Sequence, residues 1–495
     1  MTTASARGGV RVSAPGKVLL TGGYLILDEE HSGLVLATTA RFHSTVQPLV
    51  DGGGGEDHAT DPSSVLRLRV ESPQFSQTIR ARIVQSTVDG RYMLHLDESS
   101  DRNAYIEETL LCAINGLAGL DPAAFKATCD ETRSVAVRLE ADNAFYSQAP
   151  RLRDAGLCCC REHLSELPPF LPPLMEAQSD GRQAIAKTGL GSSAALVTSL
   201  VGALVAFILG PKTAKTQDGL RITHNLAQLS HCFVQRKIGS GFDVSAACFG
   251  SQRYSRFPRR VLDPFTAPEH LQPSAIAACV NDHEAWQIER RIAPFRVPSG
   301  LHLLMGDVVA GTATVSMVRQ VLQWRQSDPT AEDLIASLAT HNNSVERAIQ
   351  ELSQVAANLG EQAFDRSLRA LAHVKADEWA KHDTVVGPVL VEIRRQYENV
   401  RASFREMGER ANVPIEPPSQ TELINATLSV PGVLIAGVPG AGGYDAIFVL
   451  ALDIDVLRRV EELWIEWTSA RPSTSICPLL CGISDTTNGY NIQEL

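Results

Sequence analysis

The stretch Ala194–Leu209 runs for 16 residues without a charge, with Thr198 and Ser199 as its only polar side chains. About 20 apolar residues are needed to cross a bilayer, so this length predicts the buried helix of a globular core rather than a membrane span. Opening directly into it is Lys187-Thr188-Gly189-Leu190-Gly191-Ser192-Ser193-Ala194. Glycines let a backbone approach a ligand closely and adopt unusual dihedrals. A helix start leaves N–H groups unpaired and carries a positive dipole, which together suit a phosphate chain. Ser192 or Ser193 is placed to cap the helix, or to present a hydroxyl to a phosphate or to Mg2+. A plain serine cap on a buried helix is the simpler alternative. No Walker A loop is present. A dinucleotide fingerprint would accept Gly189, Gly191 and Ala194, but residues 182–187 make a poor strand and the first acid beyond the helix is Asp218.

Three further glycine-marked stretches accompany this one. Ser13-Ala14-Pro15-Gly16-Lys17 reads as a Pro-Gly turn between strands, followed by Thr21-Gly22-Gly23-Tyr24. Such a turn fixes the root of Lys17 and leaves its ammonium free to meet an anion; taken alone, the stretch reads as a β-turn with a solvated lysine. Gly239-Ser240-Gly241-Phe242-Asp243 closes a helical stretch, and Asp243 is the only acid in 219–250. It is either a helix-end carboxylate or a catalytic or orienting one. Gly437–Gly443 packs four glycines into seven positions between two apolar runs. One glycine would serve a turn, so four suggest that a ligand or another backbone comes close, with a tolerant hairpin loop as the alternative.

The rest of the chain predicts two lobes, each with strands first and helices later. Val10–Val12, Lys17–Thr21, Leu34–Val46, Val65–Val70 and Val135–Leu139 read as strands, and Asn103–Leu117 and Asp218–Arg236 as helices. After a proline-rich, aperiodic stretch at 258–298, Leu301–Val309 reads as a strand and Thr314–Arg325 as a helix. Helices follow at 331–357, 361–377 and 385–410, then strands flank the glycine-rich turn and Asp455–Trp467 reads as a helix. This order predicts an α+β protein with lobes at 10–265 and 295–495 rather than a doubly wound sheet. The stretches 51–56 and 416–419, and the proline-rich 167–173, read as loops.

Charge and cysteine usage narrow the functional classes. The 45 Lys and Arg against 56 Asp and Glu give a net charge of −11, which speaks against a general binder of nucleic acid or anionic membrane. Met1–Gly9 has no apolar run, so no secretory signal is expected there, and a cytoplasmic setting follows. The ten cysteines form no disulfide framework for so long a chain; Cys158-Cys159-Cys160 is awkward for any bridge, and Cys477 and Cys481 lack a second pair for a zinc site. Free thiols are the expectation.

Taken in order, these motifs resemble the GHMP kinases, and within that family the set is most similar to the fungal-type phosphomevalonate kinases. The residues that carry the likeness are Ala14–Lys17, Asp142-Asn143-Ala144-Phe145-Tyr146-Ser147, Lys187–Ala195, Gly239–Asp243, Gly306-Asp307-Val308, Gly311-Thr312-Ala313-Thr314 and Val438–Phe448. The resemblance implies a two-lobed GHMP kinase fold, with an N-terminal lobe like ribosomal protein S5 and a ferredoxin-like C-terminal lobe with added helices. It implies ATP on Lys187, Gly189, Leu190, Gly191, Ser192, Ser193 and Ala194, with Mg2+ at Ser192 and Ser193. It implies phosphomevalonate as acceptor between the lobes, near Tyr24, Ser240, Thr312, Thr314, Gly442 and Gly443. Lys17 and Asp243 match the family's catalytic lysine and aspartate. Mevalonate kinase, another small-molecule kinase of the family, or a non-catalytic ATP-binding sensor on the same fold are the alternatives. The sequence departs from the family pattern in two places: the proline common before the second motif is absent, and 219–242 holds no glutamate for Mg2+.

Overall fold

The computed structural model describes residues 7–49, 64–177, 183–265, 267–309, 317–484 and 489–495. The β-branched and alternating segments near the start form β1 (Val10–Thr21), β2 (Ser32–Pro48), β3 (Ser64–Ser72), β4 (Gln77–Gln85), β5 (Tyr92–Leu96) and β6 (Ser134–Ala141). A small separate hairpin follows, β7 (Met175–Ala177) with β8 (Gln183–Ile185). The stretch before the phosphate-type loop, expected to be a poor strand, thus contains a short one. It pairs only within that hairpin, not in the parallel sheet that a dinucleotide fold requires. With β9 (Gln252–Ser255) and β10 (Ile292–Pro294), the first sheet runs in the order β10-β9-β2-β6-β3-β4-β5, with β1 laid along β2. All its pairings are antiparallel except β3 with β6.

Helices α1 (Ala104–Leu120), α2 (Ser192–Leu209), α3 (Gln217–Val234) and α4 (Phe242–Phe249) form the layer beside this sheet. The apolar α2 lies against β1 and β2 and is flanked by α1, α3 and α4. Val197, Leu200, Val201, Ala203 and Val205 are fully enclosed there. Each large apolar side chain so buried stabilises the fold by about 1.5–3 kcal/mol, and this is why the helix is a core element despite being apolar enough for a membrane.

The second lobe is built on β11 (His302–Val309), β12 (Val433–Gly437), β13 (Ala446–Ala451) and β14 (Ser475–Pro478), in the order β12-β13-β11-β14 and antiparallel throughout. Long helices α5 (Ala331–Leu359) and α6 (Gly387–Ala411) lie between β11 and β12, and α7 (Ile454–Ala470) between β13 and β14. A strand, helices, two strands, a helix and a strand in that spatial order is the split βαβ pattern of ferredoxin-like folds. The chain then crosses back: β15 (Asn491–Glu494) pairs with β1 in the first sheet. The expected lobe boundary of 295–495 therefore gives up its last strand to the first lobe. Hydrophobic patterning cannot locate a four-residue strand whose partner lies at the opposite end of the chain.

Candidate active site

The Pro15-Gly16 step is not the expected turn. β1 continues through it, with a register shift against β2 between Pro15 and Lys17. Proline cannot donate to a ladder and is tolerated at such a bulge. The released backbone finds another partner: the Lys17 N–H donates to the Leu190 carbonyl at 2.9 Å. Gly16 is squeezed at this crossing, where a Cβ would lie 2.9 Å from Thr38 Oγ1 and 3.0 Å from the Leu190 carbonyl oxygen. The bulge thus stitches the first motif to the glycine loop before α2.

Lys17 then runs along that loop. Its Nζ donates to the Gly189 carbonyl at 2.7 Å and stands 5.4 Å from the centre of the Phe242 ring. Gly191 has φ +81, and a Cβ there would lie 3.1 Å from Lys17 Cε. Glycine is needed both for the left-handed backbone and for the lysine's path. Burial pushes the Lys17 pKa below its ordinary value, and the charge of Asp243 pushes it back up. Asp243 sits in the first turn of α4, after Gly241 at φ +78, where a Cβ would meet Phe257 at 2.6 Å. The loop that presents it is pinned by Gln228 to the Gly241 carbonyl (2.7 Å), Tyr254 to the Ser240 carbonyl (2.6 Å) and Arg256 to the Gly239 carbonyl (2.7 Å).

Neither serine caps α2. Gly191 occupies the cap position with no side-chain hydrogen bond, so the serine-cap reading fails, and among the described residues no cap side chain takes up the first N–H groups of the helix. Ser192 is buried, and Ser193 Oγ lies 3.2 Å from Nε2 of His231. The Gln235 amide donates to that same Nε2 at 2.7 Å. Burial and the Lys237 charge hold the His231 pKa below its usual range, against the pull of Asp243. Tyr105 packs its ring against His231, centroids 6.5 Å apart. His231, in the last turn of α3, and Gln235, just past its end, were missed because they face the site only once α2 and α3 are packed.

Lys187 is exposed at the mouth of the loop and bridges to Tyr146. Thr188 ties the loop to the Asn143–Phe145 turn, donating from Oγ1 to the Ala144 carbonyl at 2.6 Å. Beside this tie lies a cavity of about 350 Å3, lined among others by Asn143, Tyr146, Leu164, Phe170 and Leu479. Its volume is in the range of small-ligand sites. The proline-rich loop forms one wall, held by the Asn143 amide on the Pro168 carbonyl at 2.8 Å. Ser147 donates to Asp307, joining two of the resembling motifs across the lobes.

The residues expected around an acceptor divide. Ser240 is half-buried beside Asp243. Tyr24, with φ +64, spends its hydroxyl on the Ala441 carbonyl at 2.7 Å and packs edge-on against Phe404. Gly442 has φ +74, and a Cβ there would fall 2.1 Å from the Ile415 carbonyl oxygen; Gly443 donates its N–H to that oxygen at 2.9 Å. A Cβ on Gly23 would fall 2.4 Å from the Gly440 carbonyl oxygen. The close approach that the glycine density of this loop demands is therefore made by protein backbone. Thr312 and Thr314 lie outside the described residues, as do Gly311 and Ala313.

The chain is similar to several known proteins. The family model for the N-terminal domain of GHMP kinases matches residues 175–251, which include the loop, α2, α3 and Asp243. The chain is 35% identical to the peroxisomal phosphomevalonate kinase of Arabidopsis thaliana, over 92% of each chain. It is 33% identical to a phosphomevalonate kinase of Aspergillus fumigatus, over 92% of this chain and 90% of the relative. Among solved structures, Streptococcus pneumoniae phosphomevalonate kinase in complex with phosphomevalonate and AMPPNP shares the fold, with TM-score 0.52, 15% identity and coverage of 98% of this chain and 99% of that one.

Proposed function

The chain belongs to the phosphomevalonate kinases of the GHMP family, and from that premise we propose that it transfers the γ-phosphoryl group of ATP to (R)-5-phosphomevalonate. The products are 5-diphosphomevalonate and ADP, a step of the mevalonate pathway toward isoprenoids and sterols, ergosterol included. The observation that carries this reading is the convergence of Lys17, the uncapped start of α2 and Asp243 on one glycine loop.

Phosphoryl transfer is mostly positioning and charge stabilisation. A phosphate oxygen of the acceptor attacks the γ-phosphorus, and the bond from that phosphorus to the β,γ-bridging oxygen breaks as ADP leaves. The N–H groups at the start of α2 receive the phosphate chain, and Lys17 faces the charge that spreads over the transferred group. Its partner at rest, the Gly189 carbonyl, belongs to the same loop, so the ammonium is already held beside the phosphates. The cavity between Asn143, Tyr146 and Leu479 takes the adenine, with Lys187 between base and phosphates. The acceptor lies between the lobes, near Ser240, with Lys17 and Lys237 as cations; Thr312 and Thr314 remain part of this proposal.

Magnesium fits the donors present. The hydroxyls of Ser192 and Ser193 and the carboxylate of Asp243 are hard oxygen ligands, and would hold an ion that arrives on the nucleotide and neutralises phosphate charge. The acceptor's second pKa is about 6, so it is already mostly dianionic at pH 7 and needs no base. Asp243 accordingly orients Lys17 and the acceptor. The ten free thiols support a reducing compartment, and we place the chain in the cytoplasm.

An ATP-consumption assay against phosphomevalonate, mevalonate, diphosphomevalonate, homoserine and galactose tests the reading. The expected result is turnover with phosphomevalonate and a diphosphate ester as product. Turnover with mevalonate alone, or release of phosphate and CO2 from diphosphomevalonate, would replace it with another activity of the family. Binding of Mg-ATP without turnover of any of these compounds would leave the ATP-binding sensor, and failure to bind Mg-ATP a structural role.

A further inference from the structure

The sequence treats Cys158-Cys159-Cys160 as three idle thiols, but the structure sorts them. The segment is extended at Cys160, with φ −140 and ψ 160, so alternate side chains point to opposite sides. Cys159 turns inward and packs with Cys477, Leu152 and Leu164. Cys158 and Cys160 turn the other way, their sulfurs 3.9 Å apart. The short helix Arg161–Ser165 then brings His163 back over both, with Nδ1 at 3.5 Å from Cys158 Sγ and 3.3 Å from Cys160 Sγ. The three ligand atoms lie within 4.8 Å of one another.

These separations are those of ligands around one small metal ion. With Zn–S near ~2.3 Å and Zn–N near ~2.05 Å at tetrahedral angles, two sulfurs stand about 3.8 Å apart and a sulfur and a nitrogen about 3.6 Å. We propose that Cys158, Cys160 and His163 form a zinc site, distinct from the nucleotide's magnesium, with solvent as the fourth ligand on the exposed side of Cys158. Two thiolates and an imidazole are a borderline-soft set that selects zinc over Mg2+ or Ca2+. Binding releases two thiol protons. Affinity therefore rises with pH, and to bind through Nδ1 the imidazole must give up its contact with the Cys158 carbonyl, 2.9 Å away, and carry its proton on Nε2 instead. His163 immediately precedes Leu164, which lines the 350 Å3 cavity, so the ion braces one wall of the base pocket.

The site stands on its own geometry, and its test needs no kinase activity. Reduced, metal-stripped full-length protein is titrated with Co2+ without oxygen, ATP or Mg2+, and the cobalt is then displaced with Zn2+. The expected result is one equivalent of Co2+, with thiolate-to-cobalt charge-transfer absorption and the visible bands of a tetrahedral ion. His163→Ala, and Cys158→Ser with Cys160→Ser, should weaken binding by more than the ~10–100-fold that loss of an outer-shell partner costs. Cys159→Ser should leave the spectrum unchanged, and circular dichroism confirms that each variant is folded. No thiolate band in the wild-type chain overturns the proposal even if a variant fails to fold. So does a band that survives in the double variant, or one that disappears with Cys159→Ser.

Discussion

Two glycine-rich loops meet the segment from Lys17 to Tyr24, and they use their glycines in opposite ways. In the loop before α2, a Cβ at Gly189 would meet nothing within 4 Å, and one at Gly191 would meet only the side chain of Lys17. In the loop between β12 and β13, a Cβ at Gly442 would collide with the backbone of Ile415 at 2.1 Å. Both loops need positive φ, at +74 and +81 in the first and +64, +74 and +113 in the second. Glycine density alone thus reports close approach or unusual backbone, and does not say who approaches. The open loop can receive a ligand; the filled loop brings α6, the Ile415 segment and Gly23 into one contact.

Substitutions can break this contrast or sharpen it. The largest effect belongs to Lys17→Met, which should lower kcat by about 10³-fold or more while leaving the melting temperature near that of the wild type, because it removes transition-state charge stabilisation. A variant with near-normal turnover would remove Lys17 from the mechanism. Gly191→Ala comes next. It forces a side chain into the left-handed region and into Lys17 Cε at 3.1 Å, and kcat should fall by about 10²-fold, the scale of a 1 Å misplacement. At Gly442→Ala the balance should invert. The left-handed strain of about 1–2 kcal/mol and the overpacking of about 1–3 kcal/mol should appear as a lower melting temperature, with kcat little changed in the folded fraction. Equal kinetic damage at both glycines would make the second loop a ligand site as well.

Asp243→Asn sharpens the reading of the open loop. An orienting group should cost about tenfold in kcat, whereas a loss near ~10⁴-fold, the upper end of general-base effects, would make Asp243 a base. The smallest effect on turnover lies beside the filled loop, where the readout is stability. Burial raises the Asp307 pKa from 3.8 to about 7, while its Ser147 hydrogen bond works against that shift. The folded chain therefore holds a proton there that the unfolded chain has lost between about pH 4 and 7. The stability gained from the neutral form is complete below that window and disappears as pH rises through 7. A shift of this size is worth at most about 4 kcal/mol. Asp307→Asn should flatten the fall in melting temperature between pH 5 and pH 8, and an unchanged slope would place its cause elsewhere.

Much of this was legible in the chain. The run Ala194–Leu209 announced its helix, and the alternation of Val65–Val70 and Val135–Leu139 its strands, because local period and burial coincide there. The Lys187–Ser193 loop and Asp243 could be singled out in the sequence because their residue types are rare in that combination. His231 was not legible, since a histidine on an amphipathic helix looks the same whether it meets a core or a serine at a phosphate loop. Nor was the Pro15-Gly16 bulge, which reads as a turn until the Leu190 carbonyl supplies the partner for Lys17.

By itself the sequence determined the longer helices and strands, the order of the motifs and the family, because those depend on residues near one another in the chain. The tertiary structure alone decided which backbone fills the second glycine loop, that β15 returns to β1, and that Cys158, Cys160 and His163 share one side of their segment while Cys159 takes the other. The physical reason is common to these cases. A close approach is a property of two surfaces, and a sequence shows the accommodation made by one of them without showing the other.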